Sequence, residues 1–125
     1  MVERKTVIKL IKKYEEAWVN RDAEAILEVF TKNARYHERV LKKPFLGHYG
    51  IRKYWQDKVV GEQEKIRFKL LNLYIEKNTA IAEWEARFYD KKRKVKVHMK
   101  EVAILKLKGD KIASLREYWS SEHVK

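Results

Sequence analysis

Apolar residues along the chain follow a helical period first and a strand period afterwards. From Thr6 to Asn20 they fall at Val7, Leu10, Ile11, Tyr14, Ala17 and Trp18, with Lys9, Lys12, Lys13, Glu15 and Glu16 between them. Intervals of three and four put the apolar set on one face of an amphipathic helix. Asp22 is an N-cap residue for a second, shorter helix that buries Ile26, Leu27 and Phe30. Ala34 to Arg39 alternates as a short strand. Pro44 and Gly47 then break the chain before a third helix, on which Ile51, Tyr54, Trp55 and Val59 share a face.

After Glu62 the period becomes two. Ile66, Phe68 and Leu70 alternate, and then the phase moves by one residue to Leu71, Leu73 and Ile75. A phase change inside a strand predicts a β-bulge, which bends a sheet. Lys77-Asn78 predicts a hairpin turn into a strand that carries Ala80, Ala82, Trp84, Ala86 and Phe88 on one face. Beyond a basic turn, Val95, Val97, Met99, Glu101, Ala103, Leu105 and Leu107 share a face. Gly109-Asp110 marks a second tight hairpin, and Lys111 to Ser120 forms the last strand. Three helices followed by a strand meander predict one α+β domain over residues 1–125, a curved antiparallel sheet with the helices packed on one face.

Composition narrows the function. The chain has 125 residues, enough for one packed core, and no cysteine, which removes disulfides and thiolate metal sites. No apolar run reaches membrane-span length, and the first residues run straight into a charged helix, so a cytoplasmic protein without a membrane segment is expected. The net charge of +12 would attract polyanions. It is spread over helix, loop and hairpin, however, and is densest at Asp90-Lys91-Lys92-Arg93-Lys94, where a solvated turn is expected. Nucleic acid is therefore not an expected partner.

Two sets of residues carry candidate chemistry. Glu101 occupies the apolar parity of its strand, among Val97, Met99, Ala103 and Leu105, and Glu38 shares parity with Ala34 and Tyr36. A carboxyl among apolar neighbours is costly when ionised unless it is paired, hydrogen-bonded or protonated. Two carboxyls in one enclosure would separate into acid and base. The structural alternatives are a salt bridge from Glu101 to Arg116, or a bulge that turns Glu101 outward. The second set is aromatic. Tyr14 and Trp18 lie one helical turn apart, and Trp84, Tyr118 and Trp119 come from the strands. With Met99 these would suit a small apolar or aromatic ligand, although aromatic stripes also simply pack cores, as expected of Trp55. His37 and His98 fall on the opposite parity and read as surface residues. No metal site and no cofactor is expected.

The stretches Tyr14-Glu-Glu-Ala-Trp-Val-Asn-Arg-Asp22, Ala25-Ile-Leu-Glu-Val-Phe30, Asn33-Ala-Arg-Tyr-His-Glu38, Pro44-Phe-Leu-Gly47, Gly109-Asp-Lys-Ile112 and Arg116-Glu-Tyr-Trp119 resemble SnoaL-like proteins of the nuclear-transport-factor-2-like superfamily. The resemblance implies a cone-shaped (cystatin-like) α+β barrel with a central pocket, commonly a homodimer through the outer sheet face, where Ile81, Tyr89, Val102 and Ile104 lie. That superfamily includes isomerases, cyclases, dehydratases, epoxide hydrolases and non-catalytic modules, so the fold does not choose among them. Similarity to ketosteroid isomerase implies an oxyanion-binding role for Tyr14, eight residues before Asp22, and a general-base role for Glu38. The position of that enzyme's second oxyanion donor falls on Ala103, with Glu101 two residues away on the same face. Three readings follow: an isomerase- or cyclase-type enzyme using Tyr14, Glu38 and Glu101, a non-catalytic ligand-binding protein, and a dimeric interaction module.

Overall fold

The structure is a computed structural model that describes residues 2–124. Helix α1 (Arg4–Val19) buries the six apolar residues of its stripe. Its end is a Schellman motif: the Asp22 N–H donates to the Ala17 carbonyl and the Arg21 N–H to the Trp18 carbonyl, with Arg21 at φ 52°. Asp22 caps the next segment as its residue type suggests, because its Oδ1 accepts the backbone N–H groups of Glu24 and Ala25 at 3.0 and 2.9 Å. That segment is not the α-helix the sequence predicts. It is one short 3₁₀ helix, Ala25–Val29, because the chain must be extended again at Phe30 to enter strand β1 (Phe30–His37).

Gly47, at φ 65°, sits where an added Cβ would lie 3.1 Å from the Lys32 carbonyl oxygen. It joins the two-residue strand β2 (Phe45–Leu46) to helix α2 (Gly47–Tyr54), which continues as a π-helix over Trp55–Val60. The wider turn still points Trp55 and Val59 into the core. Two α-helices, one 3₁₀ turn and a π-helical extension thus stand where three helices are expected.

Four long strands follow: β3 (Gln63–Glu76), β4 (Thr79–Asp90), β5 (Val95–Lys108) and β6 (Lys111–Val124). They pair antiparallel in sequence, and the sheet order is β2-β1-β6-β5-β4-β3. β1 runs parallel to β6, so the sheet is mixed at that junction rather than wholly antiparallel. The reason is topological: β1 is reached from the helical layer, not from a hairpin with β6. The result is an unclosed, curved six-stranded α+β sheet with the helices against one face. Among the described residues no helix is long and apolar enough to cross a membrane.

Bulges bend the sheet and set its side-chain phase. In β3, Leu70 faces Trp84 and Asn72 faces Glu83, so Leu71 is the extra residue, at the point where the hydrophobic phase moves. A second shift is less visible in the sequence. In β6, Ser114 faces Lys106 and Ile112 faces Leu107, which leaves Ala113 without a counterpart. Ile112 and Leu115 are both fully buried although they are three residues apart. A regular strand would bury only one of them. Ile112→Ala and Leu115→Ala should therefore each lower stability by about 2–5 kcal/mol, read from denaturant midpoints. A near-neutral result for either variant would mean that β6 is unbulged.

A carboxyl pair at the floor of an aromatic cavity

Between the helices and the inner sheet face lies a cavity of about 120 Å³, open to solvent at one end. Tyr14 and Trp18 of α1, Tyr54 and Trp55, and the inward residues of β4, β5 and β6 line it. Tyr14 meets Trp55 edge to face at 5.8 Å and Trp18 at 6.3 Å, and it lies tilted over Trp84 at 5.3 Å. The Trp18 indole N–H donates to Gln63 Oε1 at 2.8 Å, which ties α1 to the start of β3.

Two carboxyls occupy the floor. Glu101 is 3% exposed and Glu117 5%. In the β5–β6 register Glu101 faces Trp119 and Glu117 faces Ala103, so the two glutamates are diagonal neighbours on one face. Ala103, which takes the place of a second oxyanion donor in the ketosteroid isomerase comparison, is the small residue that gives Glu117 room. The Glu101 carboxyl hydrogen-bonds that of Glu117, and the hydroxyls of Tyr14 and Tyr36 reach Glu117. The Trp84 N–H points toward Glu101 and favours its charged form, yet Trp84 Nε1 and Glu101 Oε2 are both buried without a closed hydrogen bond.

Burial is the main reason that Glu101 titrates well above the usual carboxylate range. The neighbouring Glu117 charge and the Glu101–Glu117 hydrogen bond add to the shift, and Glu38 adds less. Burial also raises Glu117, while the hydrogen bonds from Glu101, Tyr36 and Tyr14 hold it down. The consistent arrangement is an acid at Glu101 donating to a carboxylate at Glu117, with the pair keeping one proton between them. Tyr14 and Tyr36 are pushed well up, first by burial and then by Glu117. Tyr54 is raised too, by burial and then by Glu38.

Glu38 sits just beyond β1, nearer the mouth. Its backbone carbonyl accepts the Trp119 indole N–H at 3.0 Å, and its carboxylate lies 3.4 Å from Arg39 Nε. The Arg39 guanidinium covers the Trp119 ring at 5.3 Å. Tyr14, Glu38, Glu101, Trp18, Met99 and Trp119 thus line one cavity. Two sequence-proposed ligand contacts do not. Trp84 is fully buried behind Tyr14 and has no cavity-lining surface. Tyr118 points to the outer face and is 45% exposed. The expected alternative partner of Glu101, Arg116, forms no salt bridge with it, because the Ala113 bulge turns Arg116 and Tyr118 outward and Glu117 inward.

Glu117, Tyr36 and Tyr54 were not among the sequence-derived site residues. For Glu117 the signal was present: Leu115 is apolar but out of phase with Ile112, which shifts the inward set to Leu115, Glu117 and Trp119. His98 does lie on the outer face, bridging Glu85 at 3.0 Å and Glu122 at 3.2 Å. The described residues contain no cluster of three or more potential metal ligands.

The raised Glu101 value carries a stability consequence. A carboxyl whose folded pKa exceeds its unfolded value, near 4.3, favours folding while protonated, and that contribution is lost as pH rises through the folded value. Glu101→Gln keeps the neutral shape. It should be at most about 1 kcal/mol less stable than wild type at pH 5, the scale of one altered hydrogen bond, and equal or more stable at pH 8. Denaturant midpoints at the two pH values read this. A loss that grows toward pH 8 would mean that Glu101 is held as a carboxylate.

The SnoaL-like domain family matches residues 11–115. No curated protein matches the chain closely enough to count as a relative. Among solved structures the chain is similar to SalBIII, an epoxide hydrolase/cyclase-like enzyme of pyran ring formation in the polyether salinomycin. Identity is 21% over 96% of this chain and 95% of that one, with TM-score 0.82. It is also similar to a protein of ketosteroid isomerase-like fold from Catenulispora acidiphila in complex with trimethylamine, at 15% identity, 89% and 85% coverage and TM-score 0.79. A third is TerC co-crystallized with polyporic acid, at 15% identity, 92% coverage of each chain and TM-score 0.76. These likenesses show a shared fold, and two of the three structures hold small ligands. With the family match spanning most of its length, this chain belongs to the SnoaL-like domain family.

Proposed function

We propose that the protein is a small-molecule pocket protein that moves protons on its ligand without a cofactor, in the manner of an isomerase or cyclase. The observation that carries this reading is the buried Glu101–Glu117 pair on the floor, with a third carboxylate, Glu38, on the same cavity nearer the mouth. Glu101 supplies an acid proton to a ligand oxygen, and Glu38 takes a proton from the ligand as base. Glu117, fixed by the Tyr14 and Tyr36 hydroxyls, tunes the acid, and proton exchange with solvent at the open end of the cavity returns Glu38 and Glu101 to their starting states after each turn. Tyr14 therefore acts through Glu117 here, which differs from the direct oxyanion role implied by resemblance. Trp18, Met99 and Trp119 bound the ligand. The likeness in fold to SalBIII, an epoxide hydrolase/cyclase-like enzyme, fits acid-assisted chemistry of this kind.

Exchange of the α-protons of cyclopentanone in D₂O, followed by NMR, tests the reaction class. Wild type should accelerate exchange over buffer. Glu38→Gln and Glu101→Gln should each lower the rate by about 10²–10⁴-fold, the usual weight of a general acid or base. No acceleration by the wild-type protein would replace this reading with a binding-only one.

We also propose a homodimer through the outer sheet face. Tyr74, Ile81, Val102 and Tyr118 are exposed there, and a second copy would cover them. Light scattering at micromolar concentration should give twice the 15.2 kDa of one chain. A species of single-chain mass would refute the dimer.

A further inference from the structure

We propose that the ligand of this cavity is a small organic cation, an alkyl- or cycloalkylammonium ion seated on the Glu101–Glu117 pair inside the aromatic wall. The inference assigns a ligand class to the pocket described above; it rests on the pocket reading and does not require turnover.

The floor holds two carboxyls and no counterion. Glu101 and Glu117 are faced by Tyr14 from α1, Tyr36 from β1, Tyr54 from α2, Trp84 from β4 and Glu38 beyond β1, and none of these is cationic. Neither carboxyl forms an ion pair among the described residues. Two of the cations that line the cavity are committed elsewhere, Arg39 to Glu38 and Lys58 to Glu62 at 3.0 Å. Arg93 and His123 stand exposed at its mouth. A buried charge without a partner is costly, and a ligand that brings the opposite charge removes that cost. Glu101 Oε2 forms no hydrogen bond and the Glu101 side chain lines the cavity, so the carboxyl has acceptor capacity to spare.

The walls suit the same ion. Tyr14, Tyr54, Trp55 and Trp119 surround the space above the carboxyls, and aromatic rings attract alkylammonium groups through their quadrupoles. A volume of about 120 Å³ is close to the roughly 150 Å³ that accommodates benzene, so one saturated ring or a few methyl groups fill it. The chain's net charge of +12 does not oppose this at close range. It is spread over the surface, where salt screens it beyond about 8 Å at physiological strength.

Calorimetric titration with piperidinium and with tetrahydropyran, a neutral ring of the same size, separates charge from shape. At pH 8 piperidinium should bind at least tenfold more tightly than tetrahydropyran. It should weaken toward pH 5, as the pair takes up a second proton that the cation must displace, with a limiting slope of about tenfold per pH unit. Tetrahydropyran should not weaken over that range. Glu117→Gln should lose at least tenfold for piperidinium and keep tetrahydropyran binding, with near-UV circular dichroism confirming the fold. If that variant does not fold, the two ligands on wild type at the two pH values decide. Tetrahydropyran binding as tightly as piperidinium at pH 8, or piperidinium affinity that is flat with pH, would overturn the proposal. Proton exchange on cyclopentanone surviving that result would leave the acid–base reading in place. Piperidinium binding without any exchange would leave the cation site and remove the acid–base reading.

Discussion

A sheet with one buried face must keep every long strand in phase, because a slip of one residue exchanges its inward and outward side chains. In this protein bulges keep that phase, and the extra residues of two of them, Leu71 and Ala113, decide what the core and the cavity receive. Leu71 lets β3 bury Ile66 on one side of the bulge and Leu73 on the other, so an edge strand follows the curve of the sheet. Ala113 does the same for β6 with a larger consequence. It brings Leu115, Glu117 and Trp119 inward and sends Arg116 and Tyr118 out. Without it a guanidinium would stand beside Glu101 in place of a second carboxyl, and the floor would be an ordinary ion pair. The chemistry of the cavity is therefore a result of strand register before it is a result of side-chain identity.

The carboxyl pair runs against the usual economy of a core. Two acids at 3% and 5% exposure, each raised by burial, contribute little to stability and weaken the fold as pH rises. The surroundings limit that cost without supplying a cation. Tyr14 and Tyr36 donate to Glu117, Glu101 shares its proton with it, and Ala103 yields the space. Tyr14 in turn is locked among Trp18, Trp55 and Trp84. Trp84, which does not touch the cavity, still orients the tyrosine that does. An acid held by rigid aromatic neighbours is a preorganised donor, which is what proton transfer requires.

The mouth is built on different principles from the floor. Glu38, Arg39 and Trp119 form a clamp of a 3.4 Å ion pair, a ring-stacked guanidinium and an indole N–H bond to backbone. It joins β6 to the segment just after β1, the junction where the sheet runs parallel. The π-helical turn over Trp55–Val60 closes the other side with Trp55 and Val59. Glu38 and Arg39 at the mouth are paired and partly exposed, whereas the floor carboxyls are buried and have no cationic partner, so the two ends of one cavity differ in exposure and in counterions.

Much of this was legible in the chain itself. Helical spacing placed Tyr14 and Trp18 on the buried face of α1, strand alternation placed Glu101 inward, and the off-phase Leu71 marked its bulge. Resemblance in the opening and closing motifs pointed to the SnoaL-like family. These are local or pairwise patterns, and periods of 3.6 and 2 record them directly. Whether the second apolar segment would complete an α-helix depended on how soon the chain had to extend into β1. Pairing β1 parallel to β6 depended on packing between distant parts of the chain. Glu117 as the partner of Glu101, and Trp84 as support behind Tyr14, depended on cross-strand register. Such contacts join residues whose separation along the chain carries no period, so only the folded sheet, which brings β5 and β6 into one register, decides which acid meets which.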